Sequence, residues 1–205
     1  SVDDMSVFKG DFVNAVVDDR KGHLWFGLNS NGIVVTGMDL NDPKCIHTED
    51  GEFALSSNHI NCIYADTKGM LWFGTSKKGV SCTPLDYVDM DVYPLDATED
   101  ISTIIEDADG RLWVGLDGQG LVNVDINTGA QRMFSTSDSL LPSNLILDSF
   151  LDNDGNLYFS TYGNGPFIWK NGMASRPMCS DPEFYETVRF CREIQKDNSG
   201  NLWLR

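Results

Sequence analysis

Short apolar runs alternate with polar turns along the whole chain, and similar runs return at nearly constant spacing. FVNAVVD from Phe12, INCIYAD from Ile60, ISTIIED from Ile101, ILDSFLD from Ile146 and CREIQKD from Cys191 each end on the aspartate of an Asp-x-x-Gly turn. β-Branched and aromatic residues dominate most of these runs, which predicts a strand for each. The aspartate can accept a bond from the backbone two residues on, and the glycine takes positive φ without steric cost, so the chain reverses. A second strand follows. In HLWFGL, Leu24, Phe26 and Leu28 fall on one face and Trp25 and Gly27 on the other. Both faces are apolar, so the sheet is expected to be covered on both sides. A polar loop (NSN, SKK, DGQ, YGN) and a glycine then lead into a third strand such as GIVVT or GLVNVD, and KCIHTE, DVYPL and QRMFST are candidate fourth strands.

The core of the pattern reads DADGRLWVGLDGQG from Asp107, DRKGHLWFGLNSNG from Asp19, DTKGMLWFGTSKKG from Asp66, DNDGNLYFSTYGNG from Asp152 and DNSGNLWLR from Asp197. Its first glycines, Gly22, Gly69, Gly110, Gly155 and Gly200, lie 47, 41, 45 and 45 residues apart. A period in the forties with four short strands per repeat describes the blade of a β-propeller. The expectation is an all-β fold with four full blades, at about 11–57, 58–98, 99–143 and 144–188, and part of a fifth at 189–205. One window competes with this: SDPEFYETVRFCREIQKD from Ser180 has a Ser-x-x-Glu capping signal and helical spacing of Phe184, Val188 and Cys191. Five copies in phase outweigh it, so Cys191 to Asp197 is expected on an inner strand, with room for a helical turn at Pro182 to Glu186.

The chain has 205 residues, 41% of them hydrophobic, enough for a sizeable core, and no run approaches the roughly 18 to 20 apolar residues of a membrane span. Fifteen basic residues against 31 acidic ones give a net charge of −16, which argues against nucleic acid and against direct membrane contact. The five cysteines, Cys45, Cys62, Cys82, Cys179 and Cys191, include no CxxC pair, and Cys62 and Cys191 stand where other copies carry apolar residues, as small core hydrophobes would.

Candidate chemistry is sparse. The turns DADG and DNDG have closely spaced carboxylates, but no copy completes a calcium loop with its glutamate, so they are read as hairpins and no metal or cofactor is expected. Trp25, Trp72, Trp113, Tyr158 and Trp203 hold one fixed place in mid-strand, which favours packing between blades over a sugar platform. His23, His47 and His59 do not recur in the repeat and have no evident acid or nucleophile partner. Loops on a rigid scaffold are where binding residues tend to lie. In a propeller the loops after the second strands and those entering each blade share one face, so the candidate ligand residues are Asn29, Asn31, Asn58, His59, Lys77, Lys78, Asp117, Gln119, Asn144, Tyr162, Asn164 and Arg189. Amides, an aromatic and mixed charges suit a polyhydroxylated ligand.

The pattern I-x-x-I-x-x-D-x-x-G-x-L-W-x-G-T with its Gly-Leu-x-x-x-D-x-x-T-G continuation, clearest in ISTIIEDADGRLWVGLDGQGLVNVDINTG from Ile101, resembles the two-component regulator propeller repeat. SSNHI at Ser56 and PSNLI at Pro142 match the lead-in of that repeat, and Tyr158 and Ser160 depart from it. The resemblance implies the periplasmic sensor region of a hybrid two-component histidine kinase anchored in the inner membrane. It also implies an oligosaccharide as ligand, further blades and signalling domains of the same chain as partners, and a homodimer as one possible assembly. The family motif specifies no ligand residue. Two alternatives stay open: a lyase resembling the streptogramin lyases, which share a D-x-x-G-x-x-W core but need a base at the channel, and a scaffold that binds protein. Because the fifth copy stops inside its second strand, and a seven-bladed ring at this period needs about 315 residues, the chain is expected to be part of a larger propeller.

Overall fold

The computed structural model describes residues 5–48, 55–85, 91–179, 181, 183–197 and 199–205. The chain divides into two compact units, 1–101 and 102–205. In the first unit, β1 (Val13–Asp18), β2 (His23–Leu28), β3 (Ile33–Gly37) and β4 (Lys44–Ile46) form one sheet, and β5 (Ile60–Ala65), β6 (Met70–Thr75), β7 (Val80–Pro84) and β8 (Asp91–Tyr93) form another. The boundary falls at the start of β9 (Ile101–Glu106), which joins β10 (Leu112–Leu116), β11 (Gly120–Asp125) and β12 (Ala130–Phe134). A further sheet holds β13 (Ile146–Leu151), β14 (Leu157–Thr161), β15 (Phe167–Lys170) and β16 (Met173–Ser175), and a two-stranded one holds β17 (Ile194–Lys196) and β18 (Leu202–Leu204). All pairings between neighbouring strands are antiparallel and in sequence order, the arrangement of propeller blades.

Each hairpin is built around its aspartate. The Asp19 Oδ1 accepts from the backbone N of Lys21 (2.7 Å) and of His23 (3.0 Å), and Asp66, Asp107, Asp152 and Asp197 repeat both bonds at 2.8 to 3.0 Å. The other carboxylate oxygen accepts from the indole six residues on: Trp25 at 3.2 Å, Trp72 at 2.9 Å, Trp113 at 2.8 Å and Trp203 at 3.0 Å. One side chain thus satisfies the turn and fixes the rotamer of the packing aromatic. In the fourth copy Tyr158 has no indole to offer. There Lys196, from β17, reaches Asp152 Oδ2 at 3.0 Å while its ammonium lies 5.6 Å from the centre of the Tyr158 ring, and Asn156 donates to the same oxygen at 3.0 Å. Burial alone would raise the Asp152 carboxyl, but the bonds from Asn156 and Lys196 hold it well below the usual carboxylate range.

The aromatics pack sheet on sheet within each unit. Trp25 is buried and meets Phe73 at 5.8 Å in a cluster with Ile33, Val35, Ile46, Leu55, Ile60 and Leu71. Trp113 meets Phe134 and Trp169, both at 5.4 Å, with Phe134 and Trp169 4.8 Å apart. Close approach of the sheets requires the glycine two residues after the tryptophan: a Cβ on Gly27 would come within 2.6 Å of Ile60 Cγ2, and one on Gly115 within 2.7 Å of Ile146 Cγ2.

Some expectations need correction. Trp203 is 65% exposed instead of packed, because β18 is the outer strand of its sheet among the described residues and only the bond to Asp197 holds the indole. Cys62 is half-buried, whereas Cys191 is buried, and burial pushes its thiol up to about 11. The expected inner strand from Cys191 to Asp197 shortens to Ile194–Lys196, with Glu193 still exchanging backbone bonds with Arg205 and the Arg192 N–H sharing the Arg205 carbonyl, so that regular pairing ends there. The competing helical signal survives as a single turn, α1 (Phe184–Thr187); Pro182, where a turn was expected to begin, lies outside the described residues. Of KCIHTE only Lys44–Ile46 pairs, and Glu49 lies outside the described residues.

Three outcomes follow from this packing. Gly27→Ala should destabilise the protein by about 1 to 3 kcal/mol in denaturant unfolding, because Ile60 must move to admit the methyl. Trp113→Ala should lose about 3 to 5 kcal/mol by the same measurement, as expected for a large buried aromatic. Asp152 is a carboxylate with a depressed folded pKa, so its contribution is complete above the unfolded value, about 3.9, and is lost as pH falls through the folded value. Lys196→Met should therefore lower the melting temperature at neutral pH, and its gap to the parent should narrow below about pH 4. A gap that stays constant across that range would show that Lys196 acts by packing alone.

Candidate functional site

At the end of the sheets opposite the aspartate hairpins, the first, third and fourth blades are each tied to the next through the glycine loop after the second strand. The Gly32 N–H donates to the Asn58 carbonyl at 2.8 Å, Gly118 and Gly120 donate to that of Asn144 at 3.0 and 2.9 Å, and Gly163 and Gly165 to that of Arg189 at 2.7 and 3.0 Å. Gly32 and Gly120 sit at φ 69° and 95°, and a Cβ there would fall 2.2 Å from the Ile46 carbonyl oxygen and 2.3 Å from that of Phe134. Only glycine fits. The Asn58 and Asn144 side chains add a second tie, each Oδ1 accepting a backbone N–H at 2.8 Å, from Thr48 and Thr136. Arg189 holds the same place in the fifth copy but cannot accept; its guanidinium lies 4.8 Å over the Phe190 ring and 3.4 Å from the Glu186 carboxylate.

The other sequence candidates spread along the same loops. Asn29 is half-buried and donates to Ser30 Oγ at 3.2 Å; Asn31, Lys78 and Asn164 are exposed; Lys77 is exposed with a left-handed backbone at φ 56°. His59 is half-buried, its backbone N bonded to Ser57 Oγ at 3.1 Å and its carbonyl accepting from Ser76 at 3.2 Å. Gln119 is half-buried. Asp117 and Tyr162, each just past a second strand, pair by isolated bridges with Leu145 and Phe190 at the entry to the following blade.

In the second unit these bridges frame a cleft of about 560 Å³ lined by Asp117, Leu145, Leu147, Tyr162 and Arg192. The structure therefore brings Asp117 and Tyr162 together out of the twelve candidates. The Tyr162 and Phe190 rings lie 4.8 Å apart at 55°, with Arg189 over the far ring, so an aromatic and cationic ladder adjoins the cleft. Tyr162 remains 49% exposed, enough to offer ring surface and hydroxyl to a ligand. The lining combines a carboxylate, a guanidinium, a phenol and two leucines, which can bind and orient a polar ligand by its hydroxyls against an apolar wall.

Leu145, Leu147 and Arg192 escaped the sequence reading. Leu147 sits in a β-bulge between Ile146 and Asp148, and matching bulges place Asn14 and Asn61 between the paired residues of β1 and β5. A bulge adds one unpaired residue and turns its side chain away from the strand alternation, a device common beside binding sites. The neighbouring Asp148 accepts from the backbone N of Ile194 at 3.0 Å and from its own successor Ser149 at 2.8 Å; burial, and to a lesser degree the charge of Glu193, nevertheless raise its carboxyl above the ordinary range. Arg192 lay in the window with helical spacing. Among the described residues, no group of three or more histidines, cysteines and carboxylates is placed to hold a metal ion, and no helix is long and apolar enough to cross a membrane.

Comparisons with known proteins bear on the whole chain. The extracellular domain of a protein described as a hybrid two component system from B. thetaiotaomicron is 26% identical over 96% of this chain, with a TM-score of 0.77. A second such domain from the same organism is 21% identical over 96% of the chain, with a TM-score of 0.78. The chain covers 26% and 29% of those two domains, so it spans little more than a quarter of the structures it matches. A catalytically inactive virginiamycin B lyase from Staphylococcus aureus, 17% identical over 95% of this chain and 63% of its own, has a TM-score of 0.73, a likeness of fold. No curated protein matches the chain. Residues 54–77, 96–118 and 140–163 match the family model described as two component regulator propeller, each across the entry to a blade and its first hairpin. Three of the repeats of this chain thus match the two component regulator propeller repeat that the sequence pattern resembles.

Proposed function

We propose that this chain is a ligand-sensing part of the extracytoplasmic region of a hybrid two-component sensor, and that it works by binding without turnover. The cleft bounded by Asp117, Leu147, Tyr162 and Arg192 is the observation that carries the reading. An oligosaccharide fits it best: hydroxyls can donate to Asp117 and accept from Arg192, while the apolar face of a sugar ring packs on Tyr162 and the leucines. The extracellular domains that share its fold support a periplasmic setting, with further blades and signalling domains in the same parent chain and an anchor in the inner membrane. A ligand can shift a signalling equilibrium only by its difference in affinity for two states. In this cleft that difference arises between blades, because Asp117 and Tyr162 belong to two successive blades and Arg192 to a third.

Titration of the protein with a panel of oligosaccharides, followed by calorimetry, tests the proposal. Tyr162→Ala and Arg192→Ala should each weaken the binding of a recognised oligosaccharide about tenfold or more. Both residues are exposed, so unfolding stability should stay within about 0.5 kcal/mol of the parent. Binding that survives both substitutions would remove this cleft from the mechanism, and measurable release of a cleaved or eliminated product would favour an enzyme.

A further inference from the structure

A second cleft, of about 610 Å³, lies in the first unit at the hairpin end of the blades, away from the glycine loops. Its apolar wall is Trp25, Val35 and Leu85; its polar rim is Lys21, His23, Asp39, Asp42 and Lys44. His23 is the unusual member. Its Nδ1 lies 2.8 Å from Asp19 Oδ2, and the Asp19 side chain is fully buried while that of His23 is 52% exposed. Burial alone would raise the Asp19 carboxyl, but bonds from the His23 and Lys21 backbone, the His23 ring and the Trp25 indole hold it below its ordinary value. An ionised carboxylate only accepts, so Nδ1 donates to Asp19, which fixes the ring and leaves Nε2 at its far edge.

The same position is Met70, Arg111, Asn156 and Asn201 in the other copies, and both asparagines donate to their aspartate as His23 does. Capping the hairpin therefore does not require histidine. The rim also departs from ordinary turn geometry: between β3 and β4 the backbone is left-handed at Leu40 (φ 61°) and Asp42 (φ 52°), a conformation disfavoured for a residue such as leucine and a kind of strain that clusters at binding sites. The carboxylate of Asp39 is occupied by Asn41, which donates to it through Nδ2 at 2.8 Å and through its backbone at 3.2 Å.

We propose that this cleft is a second binding site, taking a neutral saccharide, with His23 Nε2 hydrogen-bonded to a ligand hydroxyl and Lys21 and Lys44 donating to ligand oxygens beside Leu85 and the edges of the buried Trp25 and Val35. Neutrality follows from the rim itself, where two ammonium groups face two carboxylates, so a charged ligand finds no net field to favour it. A volume within the range of small-molecule sites, with alternating donors and acceptors above an apolar floor, matches a sugar ring with its hydroxyl edge and apolar face.

The experiment follows the ring proton resonances of His23, assigned by their loss in His23→Asn, during titration with neutral mono- and disaccharides and, separately, with uronic acids. At least one neutral saccharide should shift them. His23→Asn keeps the bond to Asp19 and the melting temperature but should weaken that saccharide about fivefold, the size of one hydrogen bond. Lys44→Ala should weaken it similarly, and Arg192→Ala should leave it unchanged, which separates this site from the cleft in the second unit. The inference is overturned if no neutral saccharide moves the His23 signals, if only uronic acids do, or if His23→Asn binds as tightly as the parent.

Discussion

A buried or half-buried carboxylate at the head of each hairpin is the constraint on which the blades depend. Its two oxygens do different work: one accepts from the turn, the other from the indole, which in Trp25 and Trp113 packs on the following sheet. A polar group with no water around it must be satisfied by the protein, and satisfying it here sets both the tightness of the turn and the direction of the indole. Because the indole then reaches across to Phe73 in one unit and to Trp169 in the other, local turn chemistry propagates into packing between sheets. The glycines opposite Ile60 and Ile146 complete the arrangement by letting the sheets close on those residues.

Most of this was legible in the sequence because it is periodic. The Asp-x-x-Gly turns, the alternation in HLWFGL and the glycine opening each third strand all follow from rules that act within a few residues. The outer strands were harder: β4, β8 and β16 are three residues each, too short for alternation to declare itself. The site was legible only in outline. Asp117 and Tyr162 could be placed on the loops that line the cleft, yet what brings them to one cleft is a bulge at Leu147 and the course of the chain at Arg192, and neither has a signature in residue type. Asn58 and Asn144 have a structural part that residue type alone does not declare. Polar residues on a loop suggest a ligand, and their amide oxygens here also hold the backbone that leaves the preceding blade, at Thr48 and Thr136.

The two clefts differ in how the fold makes them. That of the second unit lies where successive blades meet at the loops, so its walls belong to elements joined by backbone bonds through Leu145 and Arg189. That of the first unit is formed largely by one blade, with Leu85 the contribution of the next. A ligand in the former bears on the joints between blades, whereas a ligand in the latter rests mainly on the edge of a single sheet. The bridging cleft is therefore the better placed of the two to convert occupancy into a change of blade geometry, since small displacements at packed interfaces tend to be resolved in discrete steps.

Repeats of this kind are usually thought of as interchangeable modules, each folding around its own hairpin. The fourth copy is not such a module. Its aspartate lacks an indole and takes an ammonium from the following copy instead. A gene duplication or a designed excision that carried this copy without its successor would leave Asp152 short of one partner in a buried place, while the first three copies could be moved with their carboxylates fully served. The order of the copies is thus partly written into the chain, with one boundary at which recombination would be selected against.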